Sequence, residues 1–408
     1  MQPATMKNRI SPANLLLIVS GCVLLMMSFG LRSSFGLFVS PISEANGWGR
    51  DIIGLALAIQ NLAWGTIAIL AGGLADRFGN ARVLVVGSVL YALGMWMTGG
   101  VSEIWALHSG AGLLVGAGVA GTAFGIVLPA MARAVAPEQR QLVLGVGTAA
   151  GSMGQFLLVP VAQRLMEAFG WAGALHVMAL MALLMALLAM PLAARQIEAG
   201  AGKAGERGFS ETLTLARGHL SYWLLTLGFF VCGYHVAFIT VHMPAFLGDA
   251  GFDPAVGAWS ISLIGLCNVV GSLASGAISG RVSMRLVLIM IYAGRAVAIV
   301  AFMLLPLSLA SVLVFSCVMG LLWLATVPPT TGLVAAMFGT RYMATLYGVV
   351  FFGHQVGSFT GVWLGGWLYE NTGSYAGLWW SGVAMSLVAM ALHWPIRETE
   401  ATPRAVAA

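Results

Sequence analysis

The sequence predicts an all-α polytopic membrane protein, with twelve transmembrane helices in two six-helix pseudo-repeats. Three observations carry this reading. Of the 408 residues, 59% are hydrophobic and only 8% charged, a balance that would leave a soluble fold with a mostly apolar surface. Apolar segments recur along the whole chain, each near the roughly 20 residues that hydrocarbon about 30 Å thick asks of a helix. A short Gly- and Arg-bearing sequence also recurs after the second and the eighth segments.

The first segment, 14–40, follows Lys7 and Arg9 as a signal peptide would. It is too long for one and no cleavage site follows, so it is expected to be retained. Segments at 51–74, 82–101, 104–132, 141–165 and 171–193 complete the first half. Between Ala194 and Gly218 the chain turns polar and Gly-rich, which reads as a cytoplasmic linker. The second half holds 219–247, 254–279, 285–306, 309–336, 343–369 and 375–395. The expected division is therefore an N-terminal bundle at 1–193, the linker at 194–218 and a C-terminal bundle at 219–408. Richness in Leu, Ala, Met and Gly, without the alternation of barrel strands, selects helices over a β-barrel.

The nineteen Lys and Arg set the expected orientation. All but four lie on the side of the N-terminus; Arg50 and Arg164 lie opposite, and Arg32 and Arg295 lie within helices. Both termini are thus expected in the cytoplasm, with the chain a multi-pass protein of the inner (plasma) membrane. Because the positive charge is spread over several loops, the basic balance does not indicate nucleic acid. Cys22, Cys232, Cys267 and Cys317 all fall inside apolar segments without metal-ligand spacing, so neither a disulfide framework nor a metal site is expected. No phosphate-binding loop appears, so ATP drive is not indicated, and no cofactor is expected.

After the second segment stands GGLADRFGNAR and after the eighth GAISGRVSMR. Gly72, Asp76 and Arg77 map onto Gly276, Gly280 and Arg281 at one constant offset, as in a duplicated unit. With Gly79, the first copy matches G-x-x-x-D-R-x-G. On these residues, the twelve segments and the central linker, the chain resembles the major facilitator superfamily over nearly its whole length. Asn80 and Ala81 stand where that family often has basic residues. The resemblance implies the major facilitator fold, with Gly72, Asp76, Arg77, Gly79 and Arg281 acting as a conformational latch. Physically, such a motif places a carboxylate and a guanidinium at a helix end, within reach of each other and of exposed helix termini. Gly145, Gly147, Gly151 and Gly154, before Pro160, resemble the superfamily's close-packing stretch. The runs from Ser34 to Gly79 and from Gly151 to Leu175 are similar to bacterial monocarboxylate and oxalate/formate-type porters. Those porters commonly place Asp and Arg in their eighth helix; the corresponding residues here are Asn268 and Ser272, so that proton site does not carry over.

All fourteen Asp and Glu map to loops or helix ends. The ionisable residues at depth are Arg32, Arg295, His235, His242 and His354. A buried guanidinium without an acidic partner is costly, and a substrate carboxylate would supply the partner, so this interior favours an anion. Arg32 lies nine residues before Pro41, about 13 Å from that helix end at 1.5 Å per residue, and Gly30, Ser33, Ser34 and Gly36 leave room beside it. The resemblance places this helix along the central cavity. The alternative role for Arg32 is to hydrogen-bond carbonyls of neighbouring helices. Arg295 sits at similar depth and is either a second substrate contact or a tie between helices. His235 and His242, seven apart, share one helical face, and an imidazole can carry a proton near neutrality; each histidine, His354 included, is otherwise an interhelical hydrogen-bond partner. Gln60, Asn61, Gln155, Asn268 and Gln355 are candidate cavity-lining polar groups. Pro328 and Pro329 remove backbone donors, which predicts a kink or gating hinge whose freed carbonyls Thr326, Thr330 and Thr331 would satisfy.

The expected function is secondary active transport of a small organic anion by alternating access, with protons as a possible second cargo and the protein a monomer in the lipid bilayer. The resemblance alone supplies the word monocarboxylate. The candidate substrate-binding set is Arg32, His235, His354, Asn268, Gln355 and Arg295. The alternative is an efflux pump for amphipathic compounds, which the Met-, Phe- and Trp-rich helices would suit. A membrane enzyme or a receptor is disfavoured, because neither His-x-x-x-His nor an acidic metal cluster is present.

Overall fold

The computed structural model describes residues 11–136, 139–193, 209–339 and 342–401, and among them no strand occurs. Helix α1 spans Pro12–Asn46. Ser11 caps it by accepting the Asn14 amide at 3.2 Å, with Pro12 in the first turn. Just past Arg32 the helix tightens into a 3-10 turn over Ser34–Phe38. Helices α2 (Arg50–Phe78) and α3 (Asn80–Gly99) are separated by Gly79 alone, whose φ of +90° a side chain would resist. Helix α4 covers Ile104–Arg133. The continuous run Arg140–Leu188 is two helices, α5 (140–169) and α6 (171–188), divided by Gly170 at φ 69°.

Residues 194–208, most of the expected linker, lie outside the described residues. Phe209–Gly218 form a short helix where a polar connection was expected, with Glu211 in its first turn and Arg217 in its last, each the sign its helix end favours. The remaining spans are α7 (Leu220–Asp249), α8 (Pro254–Ser279), α9 (Met284–Leu304), α10 (Leu309–Phe338), α11 (Met343–Thr372) and α12 (Ala376–His393). Helix α10 is broken between Leu322 and Val327, so Pro328 and Pro329 stand in the first turn of its second piece. At that position a proline lacks only an amide that would be unpaired anyway.

The duplication is visible in the packing. Helix α1 lies along α5, and α7 lies along α11 in the same manner. A Cβ built at Gly154 would meet the Met26 carbonyl, and one built at Gly357 would meet the Phe230 carbonyl. Small residues thus let backbones touch at matching points of both halves. Gly357→Ala is therefore expected to lower the melting temperature in detergent by roughly 5 °C, since overpacking costs about 1–3 kcal/mol. Gly348→Ala, on the same helix but facing open space, is expected to leave it unchanged.

The two sets of helices meet along α2 with α11 and along α5 with α8, and the 3-10 turn of α1 rests on α7. Hydrogen bonds across this junction run from the middle of the bundle to the end that carries Arg50, Asp249 and Glu370. At the opposite end, Cβ atoms built at Gly72 and Gly73 meet nothing.

Candidate functional site

Arg32 stands at the middle of α1. Its Nη2 donates to Asn61 Oδ1 on α2, and the carbon of its guanidinium lies 4.8 Å from the centre of the Trp64 ring. Asn61 is oriented for this by donating its own amide to Leu57 O at 2.8 Å, one turn back. Nε of Arg32 is buried without a partner, and among the described residues no acidic side chain is within ion-pair distance. A guanidinium with no acidic partner among the described residues therefore sits midway along a membrane-spanning helix, with one buried nitrogen unpartnered.

Rings connect this point to the other half. Trp64 meets Phe351 of α11 edge-on at 5.3 Å, and Phe351 stacks on His354 at 5.7 Å. His354 Nδ1 is 3.2 Å from Gln355 Oε1, and Gln355 Nε2 is buried without a partner. Gln355 packs against Gly65, one turn of α2 beyond Asn61. Arg32 and His354 are thus joined through Trp64 and Phe351, at opposite ends of a row of rings that runs from α1 across α2 to α11.

The other expected site residues lie elsewhere. His235 and His242 are fully enclosed, with Nε2 of each 2.8 Å from a backbone oxygen, Gly382 O on α12 and Val362 O on α11 respectively. Asn268 ties three helices, donating to Ser152 on α5 at 2.8 Å and accepting the Leu324 amide of α10 at 2.9 Å. Gln155 donates to Ile261 O at 2.8 Å and Ser262 to Phe156 O at 2.5 Å, so α5 and α8 are laced together.

Arg295 has no exposed surface. It donates to Leu322 O from Nε at 3.2 Å and from Nη2 at 2.8 Å, and Nη2 also reaches Trp323 O. These are carbonyls at the break in α10. Ser275 takes the Ala325 carbonyl, while Thr326 pairs with Cys232 at 3.1 Å and Thr331 bonds within its own helix. The expectation that the threonines would satisfy the broken helix is corrected: Arg295 and Ser275 do so, because the prolines open the helix toward α8 and α9. Arg295→Leu is expected to destabilise the protein by about 1–3 kcal/mol for each buried carbonyl it leaves without a donor. A large drop in melting temperature and in the yield of monodisperse protein would register it, with Arg295→Lys intermediate because an ammonium lacks the planar fork.

At the latch, the side chain of Asp76 lies outside the described residues. Arg77 is exposed and rests on the Phe78 ring at 5.2 Å, and Arg281 is exposed at the corresponding helix end.

The residues that sequence reasoning missed are at the closed end. Arg50 grips Asp249 with both terminal nitrogens, at 2.5 and 2.7 Å, and its own amide donates to Glu370 at 2.7 Å. The guanidinium lies 4.1 Å from the Tyr369 ring and donates to the Tyr375 hydroxyl at 3.3 Å. Burial pushes that hydroxyl up to about 12, so it stays protonated at physiological pH. The available signal was Arg50 itself, on the side of the chain poor in Lys and Arg.

Comparison with known proteins agrees with this architecture. Monocarboxylate transporter 13 of Rattus norvegicus is 27% identical over 360 residues, covering 85% of this chain and 80% of that protein. The uncharacterized MFS-type transporter YcxA of Bacillus subtilis is 24% identical over 366 residues, covering 84% and 85%. Among solved structures, a bacterial homolog of the human lysosomal transporter Spinster superposes with a TM-score of 0.76 at 15% identity, covering 94% of this chain and 96% of that one. The nucleoside transporter NupG gives 0.76 at 13% identity, covering 93% and 99%. The sequence model of the Major Facilitator Superfamily matches residues 21–362, and with its duplicated helical halves the chain belongs to that superfamily of transporters.

Proposed function

We propose that this transporter moves a small organic anion, a monocarboxylate, across the inner membrane by alternating access, with a proton as its coupling ion. The observation that carries the reading is Arg32: a membrane-embedded guanidinium with a buried unpartnered nitrogen and, among the described residues, no carboxylate within ion-pair distance. Such a group is stabilised when an anion arrives, and a carboxylate accepts from a guanidinium in parallel bonds. The kinship with a monocarboxylate transporter supports the same substrate class.

In this reading Arg32 takes the carboxylate, Gln355 offers a further donor, and His354 is the group that exchanges a proton. His235, Asn268 and Arg295 serve the site indirectly by fixing α7, α8 and α10 around it. The moving bodies are the bundles 1–193 and 219–408, joined through 194–218, within a monomer. The excess of Lys and Arg on the side of the N-terminus supports cytoplasmic termini. The Arg50 end is then extracellular and closed, and the end bearing the latch residues Gly72, Asp76, Arg77, Gly79 and Arg281 opens inward. Pro328 and Pro329 mark the flexible joint of α10.

The test is uptake of labelled short carboxylates, with hydrophobic drugs as comparison, into proteoliposomes with and without an inward proton gradient. Saturable carboxylate uptake stimulated by the gradient is expected. Drug movement without carboxylate uptake would instead identify an efflux pump for amphipathic compounds.

A further inference from the structure

The surroundings of Arg32 specify more than charge. Beside the guanidinium, Trp64 meets Phe29 edge-on at 5.8 Å, and Phe29 stacks on Phe124 of α4 at 4.2 Å. On the other side Trp64 meets Phe351, which lies parallel to His354, with interplanar angles of 71° and 10°. Rings from α1, α2, α4 and α11 thus form one continuous wall. This wall spans the junction between the halves rather than the lipid face, since the Trp64 and Phe351 contact joins α2 to α11. Trp64 and His354 are buried within it, while Phe29, Phe124 and Phe351 keep part of their surface uncovered.

The polar capacity beside the wall is small. The Asn61 side chain is used on both its oxygen and its nitrogen, and the Gln355 oxygen faces His354. What remains unpaired and buried along this wall is Nε of Arg32 and Nε2 of Gln355, few donors for anything beyond the carboxylate that the guanidinium takes. A small hydroxylated anion would find few partners for its hydroxyls and would leave three rings uncovered. A carboxylate with a flat apolar body satisfies both demands, because offset or edge-on ring contacts add binding beyond the area they bury.

Resting on the reading of Arg32 as the anion site, we propose that the preferred substrate is a monocarboxylate carrying an aromatic ring, its carboxylate on Arg32 and its ring against Phe29, Phe124 and Phe351. Phenylpyruvate and pyruvate share a head group and differ by the ring, so they test this directly. Binding of each to the purified full-length protein is measured by calorimetry, for wild type, Phe124→Leu, Phe351→Leu and Arg32→Gln. Phenylpyruvate is expected to bind at least tenfold more tightly than pyruvate. Either leucine variant, which removes a ring while keeping an apolar side chain, is expected to shrink that ratio several-fold, and two separate variants guard against one failing to fold. Arg32→Gln is expected to lose both ligands. Pyruvate binding as tightly as phenylpyruvate, still dependent on Arg32, would overturn the aromatic preference and leave the anion site standing. Binding of either acid that is indifferent to Arg32 would overturn both.

Discussion

Arg32→Gln is expected to abolish saturable carboxylate uptake, lowering kcat/KM by about 10²- to 10³-fold, while the protein melts no lower than wild type. Removing one partner of a desolvated charge pair costs about 2–5 kcal/mol, and each 1.4 kcal/mol is about tenfold. Stability moves the other way because, without substrate, this guanidinium is an uncompensated cation at mid-membrane, held by Asn61 and the face of Trp64. Glutamine stays polar and discards the charge. Arg32→Lys is expected to recover only part of the activity, since one ammonium cannot serve Asn61 and both carboxylate oxygens as a planar fork does. The contrast with Arg295 is the internal control. That residue leaves Nη1 without a partner but donates from its other two nitrogens to the carbonyls of Leu322 and Trp323, so its loss should appear as instability first. Proteoliposome uptake and melting curves on the two variants decide the matter; a melting loss at Arg32 comparable with that at Arg295, or uptake within a few-fold of wild type, would make Arg32 a tie between helices.

The parts legible in the sequence are those set by local pattern. The twelve spans follow from hydropathy, and the duplication from the match of Gly72 and Arg77 with Gly276 and Arg281. The end expected at Pro41 is passed, since α1 tightens into a 3-10 turn after Arg32 and runs on to Asn46, so the distance from Arg32 to that end is longer than nine residues of α-helix. What could not be read is which neighbour each interior polar group faces. His235 and His242 share a helical face as their spacing predicts, yet one reaches Gly382 on α12 and the other Val362 on α11. The prolines of α10 announce a break, but the donors that heal it come from Ser275 and Arg295, on different helices. Satisfying a freed carbonyl in hydrocarbon is obligatory, and periodicity does not say which neighbour supplies the donor. The Arg50 network is the same case, since Asp249, Glu370 and Tyr375 belong to three other helices or their ends.

That network carries the second large effect. Arg50→Gln is expected to shift the resting protein from the arrangement described here toward one open at the Arg50 end, by roughly 5- to 150-fold in the equilibrium. The pair deserves weight beyond an ordinary surface ion pair, which contributes about 0–1 kcal/mol. Its geometry is bidentate, the Arg50 side chain is 11% exposed, and Tyr369 and Tyr375 cover it. Asp249 is 34% exposed, so water still reaches one side, and about 1–3 kcal/mol is the reasonable coupling. All of it acts between the two sets of helices, because α2 supplies the arginine while α7 and α11 supply the carboxylates. Spin labels at the exposed Glu103 and Asn371, read by double electron–electron resonance, report the width of that end. Arg50→Gln and Asp249→Asn should each lengthen the distance and slow turnover by impairing the closed state. The paired variant Arg50→Gln with Asp249→Asn should match either single one rather than add to it, since both remove the same interaction. Unchanged distances in all three would mean that the lacing of α5 to α8 through Gln155, Ser262 and Asn268 suffices to hold the junction shut, and that the ion pair merely follows a closure made at mid-membrane.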